Sequence, residues 1–291
     1  ERRVTALYES LARFQWWRAR RGVDAGSLGG LEMRKRLLPA RRADRPADGG
    51  AGLDAWLDEL VGGFAQRGVV DLGSGFGASL LRATDAGASS CVGVTASEYQ
   101  AKRANQVARA RGVDDRCRFE VAQLGDPLPP ADVVLAVESL GHASDLCGAL
   151  AQVAASLRSD SGGVFVWLED LLVAPSRDDP DVTALARAWA SPQLRCLSEV
   201  DGAIAAAGLR VTQSVDLTEQ VPRKDAVKLN RARRRLHALR AITPLPGARR
   251  VLDAFLGGLH LERIYARGLA RYQLVVARPG AERVSPRRWS A

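Results

Sequence analysis

The sequence predicts an α/β fold: a doubly wound, seven-stranded, mostly parallel sheet, with a helical lid before it and a helical insertion ahead of its last strand. Three observations carry this expectation. Short apolar runs alternate with helical periodicities from about residue 60 onward, the signature of a parallel sheet wrapped by helices. A glycine-rich turn follows the first of these runs, where a strand would hand over to a helix. The length of 291 residues suits one large α/β domain with an attached cap, and 46% apolar with 26% charged residues is ordinary globular composition, which excludes wholesale disorder.

The elements follow in order. Leu7, Leu11, Phe14 and Trp17 recur at helical spacing, as do Leu53, Trp56, Leu57 and Leu60, so residues 1–58 read as a helical lid segment. A Pro-, Gly- and Asp-rich loop at Arg41–Gly52 interrupts it. Strands are expected at Gly68–Leu72, Cys91–Thr95, Arg118–Ala122, Asp132–Val137 and Val164–Leu168, giving a ligand-binding core over residues 59–175. Right-handed crossovers then confine the topology to a doubly wound sheet. In residues 176–291, a short helix at Asp201–Ala207 is closed by Gly208 and leads into a strand at Leu209–Val215. A long basic helical insertion, Asp225–Arg267, precedes a last strand at Ala270–Ala277, so this segment supplies cap elements and the last two strands of the same domain.

The formal charge of +9 sits in arginine patches: Arg18, Arg20, Arg21, Arg34, Lys35, Arg36, Arg41 and Arg42 near the start, and Arg223 through Arg250 later. Such runs attract phosphate or decorate solvated helix faces. With 5% aromatic residues and no helix-turn-helix, RNA-recognition or zinc-finger pattern, no nucleic-acid partner is expected. No apolar stretch approaches the roughly 20 residues of a membrane span, and Glu1-Arg2-Arg3 opens no positive-then-apolar leader pattern. Cys91, Cys117, Cys147 and Cys196 lie far apart, and only His142, His237 and His260 accompany them, so no metal is expected and a cytoplasmic protein with reduced thiols is.

The turn Asp71-Leu72-Gly73-Ser74-Gly75-Phe76-Gly77 lets a ligand approach the backbone closely. Gly73, Gly75 and Ala78 satisfy the relaxed dinucleotide pattern, which keeps an oxidoreductase open. Asp71 points elsewhere: at the end of the strand its carboxylate would repel a pyrophosphate and suit a cationic ligand. Gly77 gives the G-x-G-x-G spacing, and S-adenosyl-L-methionine carries both an ammonium and a sulfonium.

On these residues the chain resembles the class I S-adenosylmethionine-dependent methyltransferases, from about Leu60 to Ala277, and the resemblance implies their Rossmann-like fold. Cys91-Val92-Gly93-Val94-Thr95-Ala96-Ser97-Glu98-Tyr99-Gln100 is similar to a segment of the sterol, tocopherol and cyclopropane-forming methyltransferases, which implies that Thr95 and Gln100 lie beside the ribose and that Ala96 joins the cofactor site. Gln123 and Leu124 fall in the turn that touches adenine, where the family often has Asp in place of Gln123. Asp71, Gly73, Ser74, Gly75, Gly77 and Glu138 complete the expected cofactor set, with S-adenosyl-L-homocysteine as the product.

Ala136-Val137-Glu138-Ser139-Leu140-Gly141-His142-Ala143 follows the fourth strand, on the side where open α/β sheets bind ligands. It resembles a loop of the sterol and bacterial natural-product methyltransferases, which implies His142 as base or partner of a base. Cyclopropane-forming relatives carry Glu before this His; Gly141 stands here, which disfavours cyclopropanation. Asp170 matches an Asp that serves as base or partner of a base in natural-product enzymes, although Glu169 and Asp170 at a strand end could equally cap a helix. His142, Asp170 and Glu138 are thus the candidate catalytic residues, with Trp16, Trp17, Trp167, Trp189, Phe14 and Phe255 as candidate walls for a cationic intermediate.

The leading expectation is methyl transfer to carbon of a bulky apolar, isoprenoid acceptor, including a prenyl diphosphate if Arg231, Arg234 and Arg235 reach it. An O-methyltransferase of a polyketide or glycoside is the alternative, and a non-catalytic cofactor-binding protein the alternative of another class. A homodimer is compatible with either.

Overall fold

A computed structural model describes residues 2–19, 34–35, 37–38, 50–158, 162–176, 178–191 and 194–280. Seven strands form one sheet in the order β3-β2-β1-β4-β5-β7-β6. These are β1 (Gly68–Leu72), β2 (Ser90–Thr95), β3 (Cys117–Val121), β4 (Val133–Val137), β5 (Val164–Leu172), β6 (Leu209–Asp216) and β7 (Ala270–Pro279). β1 through β5 pair in parallel, and β7 runs antiparallel to both its neighbours. The chain reverses its order of strands between β1 and β4, so the loops after both strands open on one crevice.

Both faces are covered, which is why the central strands read as continuous apolar runs. One layer holds Leu53 and Leu57 of α2 (Gly50–Val61), Leu80 and Leu81 of α3 (Ala78–Asp85), Ala101 and Ala104 of α4 (Glu98–Ala110), and Ile264 of the long C-terminal helix. The other holds Leu146 and Leu150 of α5 (Leu146–Ser156) and Val200 and Ile204 of α7 (Leu197–Ala206), packed on Val70, Phe165 and Trp167. Side-chain caps set the helix starts: Ser97 Oγ accepts from the Gln100 N–H before α4, and Asp145 accepts from the Gly148 N–H before α5. Asp179 caps α6 (Pro180–Ala188), whose first residue is the proline that suits that position.

α1 (Arg2–Ala19) packs against α4 and against α9 (Pro246–Ala266). The basic insertion is two helices, α8 (Ala226–Ile242) and α9, parted by Thr243-Pro244-Leu245. Several strand ends shift from expectation by one or two residues, and three boundaries by more. β5 continues to Leu172, so Glu169 and Asp170 lie within the strand; Glu169 accepts from the Gly141 N–H in the short 3-10 helix Leu140–His142, and Asp170 pairs with Lys35. α7 starts at Leu197, where the Glu199 carboxylate accepts from the Cys196 N–H. Gly50–Gly52 belong to α2, while the rest of the expected loop at Arg41–Gly52, and Arg20, Arg21, Arg36, Arg41 and Arg42, lie outside the described residues. Among the described residues no helix is long and apolar enough to cross a membrane, and no cluster of His, Cys, Asp and Glu could hold a metal.

Candidate active site

The glycine turn leaves β1 beside the buried Asp71. Gly73, Gly75 and Gly77 have φ of +76°, +56° and +81°, a left-handed conformation that favours glycine. Two of them are also sterically required. A Cβ on Gly73 would lie 2.3 Å from the Ser139 Cβ, and one on Gly77 would lie 2.2 Å from the Phe119 ring. The N–H groups of Gly73 and Ser74 both donate to the Val94 carbonyl, at 2.8 and 2.9 Å, which pins the turn to β2.

At the end of β2, Thr95 Oγ1 donates to Gln100 Oε1 at 2.6 Å, and both side chains are buried, with Ala96 half-buried between the strand and α4. Glu9 of α1 accepts from Ser97 Oγ at 2.6 Å and from the Tyr99 N–H at 3.1 Å, so α1 is fastened to the start of α4. Beyond β3, Gln123 is exposed and Leu124 half-buried in a turn closed by Asp126, beside the exposed Val121. The expected cofactor residues therefore line successive strand ends.

Beyond β4 and β5 lies a polar chamber. Glu138 has a φ of +52°, rare for a side chain of its size, and its Oε1 accepts from Tyr272 Oη at 2.7 Å and from the Lys35 N–H at 3.0 Å. Lys35 Nζ stands 3.4 Å from the same oxygen and 2.5 Å from Asp170 Oδ2. Tyr265 of α9 donates to the other Asp170 oxygen. Burial opposes the Lys35 charge, but the Asp170 and Glu138 carboxylates overcome it and hold the ammonium above its ordinary range. Burial pushes Asp170 up, against the pull of Lys35. The ammonium also lies 4.7 Å from the Tyr272 ring centre and 5.7 Å from that of Trp189, within cation–π range.

Glu169 accepts from the Gly141 N–H at 3.0 Å, and a Cβ on Gly141 would lie 3.4 Å from its carboxylate. Burial, with help from Asp170, pushes Glu169 up to about 8, so it is largely protonated at neutral pH. His142 Nε2 meets Tyr8 Oη of α1 at 2.6 Å, while the buried Nδ1 has no hydrogen-bond partner among the described residues. Burial pushes His142 down to about 4, so the ring is neutral, and one of its nitrogens is a base.

Glu138, His142 and Asp170, expected from sequence, thus border one chamber next to the glycine turn. The expected aromatic walls divide. Trp189 flanks the chamber cation; Trp16 packs on Phe76 of the glycine turn at 5.6 Å. Trp167 faces the α5 and α7 side of the sheet, because alternation along β5 turns it away from Asp170. Phe14 stacks on Trp17 and meets Phe255 edge-on, with Trp17 and Phe255 exposed. Arg231, Arg234 and Arg235 lie on the exposed side of α8. Tyr8, Lys35, Tyr265 and Tyr272 join the site without having been expected there: Tyr272 satisfies strand alternation and Lys35 reads as one more surface charge.

Residues 69–160 match the methyltransferase domain family. The chain is 38% identical over 125 residues to the 27-O-demethylrifamycin SV methyltransferase of Amycolatopsis mediterranei, covering 41% of this chain and 45% of that protein. It is 29% identical over 157 residues to 24-methylenesterol C-methyltransferase 2 of Oryza sativa subsp. japonica, covering 51% and 43%. The chain thus spans less than half the length of these relatives. Among solved structures it resembles geranyl diphosphate C-methyltransferase from Streptomyces coelicolor A3(2), with a TM-score of 0.67 at 21% identity over 94% of this chain and 98% of that one. A geranyl diphosphate methyltransferase in complex with GPP and sinefungin gives 0.66 at 22% over 88% and 91%. At these identities the structures show the fold.

Proposed function

We propose that this chain, a class I S-adenosylmethionine-dependent methyltransferase by its fold and by the methyltransferase domain at residues 69–160, methylates a bulky apolar small molecule, and that the methylated atom is carbon of an isoprenoid. The observation that carries the reading is the shared wall between the two sites. Gly73 of the donor turn and Ser139 of the chamber loop are in such close contact that no side chain fits between them. Methyl transfer is a displacement whose main demand is alignment of donor and acceptor, and this wall supplies it.

The residues fit the donor. Three left-handed glycines and the buried Asp71 would hold the methionyl end, with Ser74; Thr95, Ala96 and Gln100 would face the ribose, and Gln123 and Leu124 the adenine. When bound, S-adenosylmethionine supplies an electrophilic methyl on a sulfonium and leaves as S-adenosylhomocysteine. The protein's own part is placement, exclusion of water and proton removal. α1, held by Glu9 and Tyr8, covers the chamber. The faces of Tyr272 and Trp189, which already flank an ammonium, suit the positive charge that develops on a methylated alkene. Asp170, with Glu138 and His142 at hand, would then take the proton.

Among the described residues the chamber presents three carboxyl groups and the ammonium of Lys35, a set that favours a neutral acceptor group there over a diphosphate. A second reading, O-methylation of a polyketide or glycoside hydroxyl, has one observation in its favour: the unpartnered Nδ1 of a neutral His142 is placed to take a hydroxyl proton. Incubation with labelled donor and a panel of isoprenoid alkenes, prenyl diphosphates and phenolic or sugar hydroxyls, followed by mass and NMR analysis of the product, separates the readings. Binding of S-adenosylhomocysteine without turnover on any acceptor class would favour a non-catalytic role, and failure to bind it would overturn the assignment.

A further inference from the structure

We propose that the α8–α9 hairpin is a docking surface for an anionic lipid bilayer. α8 carries Lys228, Arg231, Arg233, Arg234, Arg235 and Arg240, no acidic residue, and no buried one. Two of these cations are neutralised nearby: Lys228 by Asp225 at 3.1 Å, and Arg240 by Asp253 of α9. Arg231, Arg234 and Arg235 have no acidic partner among the described residues. At 100° per residue, Val227, Arg231, Arg234, Arg235, Ala238 and Ile242 share the outward side of the helix, opposite the half-buried Leu229, Ala232, Arg233 and Leu236.

Apolar residues stand on this same face and at the hairpin tip. Ile242 is 78% exposed, Val227 68% and Leu245 66%. The tip is stiff: Pro244 and Pro246 bracket Leu245, and Arg249 Nε donates to the Thr243 carbonyl at 2.6 Å. Arg249 and Arg250, both exposed, continue the basic collar onto α9.

Interleaving of cations with protruding apolar side chains selects the partner. On duplex nucleic acid, Val227 and Ile242 would hold the arginines off the phosphates. A bilayer accepts both, with Ile242 and Leu245 sinking to the acyl boundary while arginine heads stay among anionic headgroups. This inference does not depend on which acceptor is methylated.

The test is flotation of the full chain with vesicles of phosphatidylcholine, with and without phosphatidylglycerol, at low and high salt. Binding is expected with the anionic vesicles only, and lost at high salt. Each basic residue near such a surface contributes about fivefold, so the triple variant Arg231→Glu, Arg234→Glu, Arg235→Glu should lower the partition coefficient by about 100-fold or more. Ile242→Ser with Leu245→Ser should lower it by about tenfold while leaving its salt dependence. All five positions are exposed, and unchanged circular dichroism and melting exclude loss of the fold. Equal binding to neutral vesicles, indifference to the arginine substitutions, or binding of duplex DNA in place of vesicles would overturn the proposal.

Discussion

Replacing Gly73 by Ala tests the link between the glycine turn and the chamber, because its two costs can be separated. The first is backbone: φ of +76° costs an L-residue about 1 kcal/mol relative to glycine. The second is steric. The new Cβ would lie 2.3 Å from the Ser139 Cβ, against an ordinary contact of at least 3.4 Å, so one of the two loops must yield by about an ångström. Ser139 follows Glu138, which is already held in a left-handed conformation by Tyr272, Lys35 and the Leu168 carbonyl, so the chamber loop cannot retreat freely. Such overpacking costs about 1–3 kcal/mol.

Gly62→Ala supplies the control. Gly62 has a φ of +79° and nothing within 4 Å of its built Cβ, so it bears the backbone cost alone. Chemical denaturation should therefore show a loss of about 1 kcal/mol for Gly62→Ala and about 2–4 kcal/mol for Gly73→Ala. If a bound donor requires the native turn, the steric part reappears as about a 5- to 150-fold weaker S-adenosylhomocysteine affinity by calorimetry, in Gly73→Ala only. Equal stability losses and equal affinities in the two variants would refute the argument.

The other predictions concern the chamber. The unfolded chain protonates His142 near pH 6.5 and the folded chain only near 4, so wild type should lose up to about 3 kcal/mol of stability as pH falls across that range, and His142→Asn should abolish most of that loss in urea melts. Glu169 behaves oppositely: the unfolded chain ionises it near pH 4.5, the folded chain near 8, so Glu169→Gln should match wild type at pH 4 and exceed it by up to about 5 kcal/mol at pH 8. Lys35→Met leaves Asp170 and Glu138 without their ammonium; turnover should fall by about tenfold or more and its pH profile move upward, with donor affinity nearly unchanged in a binding titration.

The fold was legible where burial alone shaped the chain. β1 falls at the expected residues, Gly68–Leu72, because all five are buried and a glycine turn ends the run. β5 was expected to stop four residues early because Glu169 and Asp170 look like an exit to solvent. Nothing local to that segment reveals that Lys35, Tyr265 and the Gly141 N–H will meet those carboxyls in the interior.

The same reasoning explains which half of the site could be read. The glycine turn and the residues that follow β2 are specified by what the backbone must do near one strand end. A left-handed turn needs glycine, and a strand-to-helix junction needs a cap such as Ser97, so the signal lies within a few residues. Chamber residues are specified by pairing across the fold: Tyr8 with His142 and Tyr272 with Glu138, each 134 positions apart, and Lys35 with Asp170, 135 apart. Each of the three partners also satisfies a local rule by itself. Tyr8 sits next to Leu7 on a helix, Tyr272 alternates along a strand, and Lys35 belongs to a basic run. Local periodicity therefore assigns them structural places and is silent about the carboxylates and imidazole they serve. Two of them, Tyr8 and Lys35, precede β1 in the chain, so a chain lacking residues 1–38 should keep the glycine turn while His142 loses Tyr8 and Asp170 loses its ammonium.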